Sequence, residues 1–242
     1  LDALNKGELS GSFGKYIEDF ENEFARYSGC KYGVAVSSGT TALHLAMSVI
    51  DIKPGDEVLL SSSTNIATAL SIVHNGGIPV PVDCEEETWN LNVSLLESLI
   101  TKKTKAIIPV HLFGHPVDMR ALMKIARKYN LKVIEDCAES HGASYRGKIT
   151  GSFGDMGCYS FYANKIITTG EGGMVITNNN NLYKKLKLLR NLAFENPRFK
   201  HRQLGYNFRM TGYHAAMGLA QTRNLNNIIQ KNQKSIFIIE KN

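Results

Sequence analysis

The stretch YGVAVSSGTTALHLAMSVI, residues 32–50, decides the fold. YGVAV is a short apolar run with the character of a strand, and SSGTT is a turn of small hydroxyl residues and glycine. Residues 40–50 then carry a helical pattern. The same strand–turn–helix phrase repeats outward. Residues 57–60 read as a strand and 65–75 as a helix, 78–82 as a short strand and 93–99 as helical. Residues 106–111 read as a strand, 118–129 as a helix, and 132–136, 158–162 and 174–177 as strands. Alternation at this period predicts an α/β domain with a mostly parallel central sheet and helices on both faces, a three-layer α/β/α arrangement. Several strands are almost wholly apolar, as strands buried on both faces must be. Residues 219–240 read as one closing helix, followed by Lys241-Asn242.

The bulk composition agrees. The 242 residues, 43% hydrophobic and 21% charged, can bury a large core and do not resemble a disordered chain. No apolar run approaches the ~18 residues of a membrane span, and LDALNKGELS has no signal-peptide core, so a soluble cytoplasmic protein is expected. Cys30, Cys84, Cys137 and Cys158 are scattered without metal-ligand spacing and read as free, mostly buried thiols; no metal site is expected. The net charge of +6 is densest over residues 184–202. There Lys184, Lys185, Lys187 and Arg190 alternate with leucines, as on the wet face of an amphipathic helix. No nucleic-acid reader motif accompanies them. The glycines of GSFGDMG, residues 151–157, do not follow the dinucleotide-binding pattern either.

The chemistry-bearing residues fall at the carboxyl ends of strands, where open α/β sheets gather ligands. In Ser37-Ser38-Gly39-Thr40-Thr41 the first helical N–H groups and the dipole suit a phosphate, Gly39 allows close approach, and Thr40 or Thr41 adds a hydroxyl. A plain Ser/Thr N-cap explains the same residues. Asp136 closes the strand KVIED. Under a pyridine-type cofactor its carboxylate would keep the ring nitrogen protonated, with Glu139 or His141 against other ring substituents. In FYANKIITTGEGG, residues 161–173, Lys165 sits among apolar, small and hydroxyl residues. A lysine held out of water loses its proton readily and condenses with aldehydes. Ser160, five residues earlier, can reach a phosphate. A phosphate cradle, an acid for a ring nitrogen and an aldehyde-capturing lysine together are the parts of a pyridoxal 5′-phosphate (PLP) site.

Over about residues 11–229 the chain resembles the DegT/StrS-type nucleotide-sugar aminotransferases, a branch of the fold type I PLP enzymes, and is most similar to their perosamine-synthase-like members. The resemblance is carried by SSGTTALHLAM, KPGDEVLLSS, TKAIIPVHLFGHPVDM, LKVIEDCAESHGASYRGKITGSFGDMGCYSFYANKIITTGEGGMV and LGYNFRMTGYHAAMGLAQ. It implies that Lys165 bonds to the cofactor, that Asp136 pairs with the pyridine nitrogen and that Glu139 lies near the ring hydroxyl. Gly39, Thr40 and Ser160 would bind the phosphate. Asn207 would reach the phosphate of a neighbouring subunit, making a homodimer with shared active sites. Where the family has an aromatic residue stacked on the ring, this chain has Asn65.

The resemblance also implies a domain plan: residues 1–225 as the cofactor-binding large domain, and residues 226–242 as the start of a helix leading to a C-terminal small domain absent from this chain. The implied reaction moves an amino group from L-glutamate to a nucleotide-linked 4-keto-6-deoxy sugar, in surface polysaccharide or O-antigen sugar biosynthesis. Two readings compete with it. A PLP-dependent sugar dehydratase shares the scaffold but has His where this chain has Lys165. The other is a truncated relative that binds without catalysing.

Overall fold

The computed structural model describes residues 1–197 and 199–239 of the chain. Its helices are α1 (Asp2–Asn5), α2 (Lys15–Tyr27), α3 (Gly39–Val49), α4 (Ile66–Val73), α5 (Leu96–Leu99), α6 (Met119–Lys128), α7 (Asn180–Arg190), α8 (Gly212–Thr222) and α9 (Leu225–Ile239). The strands are β1 (Tyr32–Val36), β2 (Glu57–Ser61), β3 (Ile78–Val82), β4 (Thr104–Ile108), β5 (Lys132–Asp136), β6 (Ser144–Tyr145), β7 (Lys148–Ile149), β8 (Met156–Ser160) and β9 (Gly173–Thr177). Seven of them form one sheet in the order β1-β9-β8-β5-β4-β2-β3. β9 runs antiparallel to both neighbours, while β8, β5, β4, β2 and β3 pair in parallel. The expected mostly parallel sheet is present, and β6 and β7 form a separate hairpin.

Apolar side chains leave the sheet on both faces, because neighbouring residues of a strand point opposite ways. Val34 and Val36 join α3, α4 and α7 in one core, whereas Ala35 joins α2, α8 and the start of α9 in another. A third core packs Leu59, Ile107 and Val133 against α6. At the junction of α2 and α8, a Cβ on Gly218 would lie 2.5 Å from the ring of Phe20, so this helix pair depends on a glycine there. Leu225, Ile228 and Ile229 of α9 belong to the second core, and Tyr27 donates to Asn226 Oδ1 at 3.1 Å.

Several boundaries differ from the sequence reading, each for a local reason. β4 stops at Ile108, before Pro109, which has no N–H to continue a ladder. The helix expected over 65–75 begins at Ile66, because Asn65 caps it. The closing helix expected over 219–240 is two helices, α8 and α9, broken at Arg223-Asn224; Glu240, Lys241 and Asn242 lie outside the described residues. Arg190 is not on a wet face. It is 6% exposed, and its Nη1 donates to Glu21 Oε1 at 2.5 Å and to the Ala35 carbonyl at 2.8 Å. A carboxylate brought in by α2 draws the guanidinium inward. All four cysteines are free and three are buried, as expected. Among the described residues no helix is long and apolar enough to cross a membrane.

Candidate active site

β1, β2, β5 and β8 point their carboxyl ends at one cavity of about 300 Å³. Its wall contains Gly39, Thr40, Asn65, Asp136, Glu139, Ser160 and Lys165, all singled out from the sequence. Asn207 is not in that wall; it is exposed, on the segment that bridges to Asn191. His141 is absent too. It is buried behind the site against Phe24, Tyr159 and Phe161, where burial, with a smaller push from the Lys165 charge, lowers its pKa to about 3.

At the start of α3 both readings of SSGTT hold. Ser38 Oγ accepts from the Thr41 amide at 3.1 Å, and Thr41 Oγ1 accepts from the Ser38 amide at 2.9 Å, a reciprocal cap. Thr41 is therefore committed to the cap. The first intrahelical bond is Ala42 N–H to the Ser38 carbonyl, so the amides of Gly39 and Thr40 have no partner within the helix. Ser160 stands opposite. A Cβ on Gly39 would lie 2.7 Å from Ser160 Cβ, so the cradle is open only because residue 39 is glycine.

Asp136 is 4% exposed. Oδ1 accepts from the Ala138 amide at 3.1 Å and Oδ2 from Thr68 Oγ1 at 2.8 Å, both neutral donors. Burial pushes its pKa above the usual carboxylate range, while those two bonds pull it back. The folded chain thus keeps a proton at pH values where the unfolded chain has lost it. Stability from this group is complete below ~3.9 and is lost as pH rises through the folded value. Asp136→Asn, uncharged at every pH, is expected to raise the melting temperature of the cofactor-free chain at pH 7. Melts at pH 7 and below pH ~4 check this, with the difference vanishing at the acid end.

Lys165 reaches the cavity from the bend after β8. Its side chain is 17% exposed, with Nζ 3.8 Å from Glu139 Oε1. Glu139 is held by the Phe113 amide, which donates to Oε2 at 2.9 Å. Asn65 reaches the wall as the cap of α4, its Oδ1 accepting from the Ala67 amide at 3.0 Å. The sequence reading gave no site role to Thr64, Ala138, Tyr162, Asn164 or Glu171, which also line the wall.

One other cluster has the composition of a metal site. His111, Glu135 and Cys137 are buried together behind β5. Their ligand atoms are already used. The Val117 amide donates to His111 Nδ1 at 3.2 Å, which puts the ring proton on Nε2, 3.0 Å from Glu135 Oε2.

The cavity's donor set fits PLP: two helix amides and a hydroxyl around a space that a side chain would fill, a buried carboxylate across from them, and an amine. A model of the DegT/DnrJ/EryC1/StrS aminotransferase family matches residues 1–242. The chain belongs to this family. Among its relatives, the GDP-perosamine synthase of Caulobacter vibrioides is 51% identical over 211 residues, 87% of this chain and 57% of that protein. The GDP-perosamine synthase of Escherichia coli O157:H7 is 46% identical over 232 residues, 96% of this chain and 64% of that protein. The aminotransferase from Psychrobacter cryohalolentis superposes with a TM-score of 0.90 at 39% identity, over 93% of this chain and 60% of its own. The DegT-family chain described here thus spans less than two thirds of the length of these relatives.

Proposed function

We propose that this chain forms the cofactor-binding part of a PLP-dependent aminotransferase, which moves an amino group from L-glutamate to a nucleotide-linked 4-keto-6-deoxy sugar. The observation that carries this reading is a single cavity lined by a nearly buried amine, a buried carboxylate and the open start of a helix. Bound there, the cofactor supplies an aldehyde and an electron-withdrawing ring. The amides of Gly39 and Thr40, with Thr40 and Ser160 hydroxyls, hold its phosphate. Asp136 keeps a proton on the ring nitrogen. Lys165 Nζ would be the amine that meets the aldehyde, and the same Nζ would serve as the base and acid that moves a proton at the donor α-carbon. Glu139, 3.8 Å from Lys165 Nζ, would hold the amine within reach of the cofactor.

The names of the relatives support a nucleotide-sugar acceptor, and the surplus of basic residues suits a diphosphate. Asn207 is exposed and outside the cavity of its own chain, and its proposed role is to reach the phosphate bound by a second copy in a homodimer with shared sites. Free, mostly buried thiols support a reducing, cytoplasmic setting, and O-antigen or other surface polysaccharide assembly is the proposed context. The test is mass spectrometry of GDP-, UDP- and dTDP-linked keto sugars incubated with the protein, PLP and glutamate. The expected result is a glutamate-dependent amino sugar from one of them. Cofactor uptake without amination of any acceptor would overturn the transfer and leave a binding protein.

A further inference from the structure

Behind the cavity wall, one hydroxyl holds an unusual position. Thr68, in the first turn of α4, is fully buried. Its Oγ1 lies 2.8 Å from Asp136 Oδ2 and 2.7 Å from Thr64 Oγ1. A hydroxyl carries one proton, and the carboxylate can only accept. Thr68 therefore donates to Asp136, and Thr64 donates to Thr68. The result is a two-hydroxyl chain from the cavity surface, which Thr64 lines, to the buried carboxylate. With the Ala138 amide on Oδ1, both carboxylate oxygens are fixed, which sets the plane of the group.

We propose that Thr68 is a positioning residue for Asp136, orienting its carboxylate toward the ring nitrogen and keeping it ionised. The proposal deepens the PLP reading and rests on it. The physical reason is a contest. Burial favours the neutral acid, whereas the Ala138 amide and the Thr68 hydroxyl favour the carboxylate. An acid already carrying its own proton presents no charge to a pyridinium. Other groups around Asp136 are His111 after β4, Glu139 after β5, Cys158 on β8 and Lys165 across the cavity. Of these, Glu139 raises its pKa, while His111, with its one ring proton on Nε2, is neutral. Thr68 acts on Asp136 without carrying any charge itself, and Thr64 strengthens the donation by polarising it.

The test compares wild type, Thr68→Val, which keeps the shape, and Thr68→Ser, which keeps the hydroxyl. The first readout is the infrared carboxylic-acid band of the cofactor-free protein against pH, assigned by its loss in Asp136→Asn. In Thr68→Val the band is expected to persist to a pH about one unit higher, with Thr68→Ser following wild type. The second is PLP affinity by titration, expected about tenfold weaker in Thr68→Val and within about twofold of wild type in Thr68→Ser. A merely structural threonine would lower the melting temperature without moving the band. An unshifted band in Thr68→Val overturns the proposal, as does unchanged cofactor affinity. Failure of wild type to take up PLP counts instead against the parent reading, and the infrared shift still decides what Thr68 does to Asp136.

Discussion

Replacing Lys165 by alanine is expected to abolish covalent capture of PLP and to lower amino transfer by on the order of 10²–10⁴-fold or more, the usual loss with a proton-transferring group. The side chain is 17% exposed, and its nearest acid is Glu139, 3.8 Å away. No other lysine lines the cavity among the described residues. Borohydride treatment of PLP-loaded protein should therefore fix the label on one peptide, the one containing Lys165. In Lys165→Ala the absorbance of the Schiff base and the label should both disappear. Lys165→Arg should lose both as well, since it keeps the charge but has no condensing amine. The melting temperature of the cofactor-free variants should change little, because among the described residues Glu139 alone is ion-paired with this group. A label retained in Lys165→Ala, or found mainly on another lysine, would remove the basis of the proposed function.

The second large effect is on stability. Glu135→Ala is expected to cost about 3–5 kcal/mol, the range for stripping one partner from a buried charged network. The Glu135 side chain is fully buried and accepts four hydrogen bonds: from His111 Nε2 at 3.0 Å, and from the amides of Gly151 at 2.8 Å, Phe153 at 2.7 Å and Gly154 at 2.7 Å. Alanine would strand three amides and an imidazole, each at the cost of an unmet buried donor. At about 2–4 °C per kcal/mol for a chain of this size, the melting temperature should drop by about 10 °C. Thermal melts by circular dichroism check this, and a loss under about 1 kcal/mol would contradict it. Glu135→Gln should cost less, because one amide oxygen still accepts. The two acids of KVIED therefore divide their roles by strand geometry: Asp136 faces the cavity, and Glu135, one residue earlier, pins the 151–154 loop behind it.

Much of this was legible in the sequence because it is local. Gly39 between a strand and a helix, Asp136 at the end of an apolar strand and Lys165 before a glycine-rich turn each announce their place within a few residues. α2 was missed, although Ile17, Phe20 and Phe24 recur at helical spacing and are buried. The role of Asn65 was legible only in part, since a cap and a cavity-wall residue look alike in sequence.

Other features had no local signal. Thr68 and Asp136 are 68 residues apart, and Arg190 and Glu21 are 169 apart. No pattern around Thr68 distinguishes a buried donor from an ordinary helical threonine, and Arg190 sits in a run of lysines that reads as solvated. The antiparallel course of β9 between β1 and β8 is likewise a matter of pairing across the sheet. By itself the sequence determined the alternation of strands and helices, and hence which end of the sheet holds the chemistry, because backbone periodicity and the glycine and hydroxyl turns act over neighbouring residues. Tertiary structure alone decided which polar groups meet out of water. Hydrogen bonds and ion pairs form between whatever the folded core brings within 3 Å or so, regardless of separation along the chain.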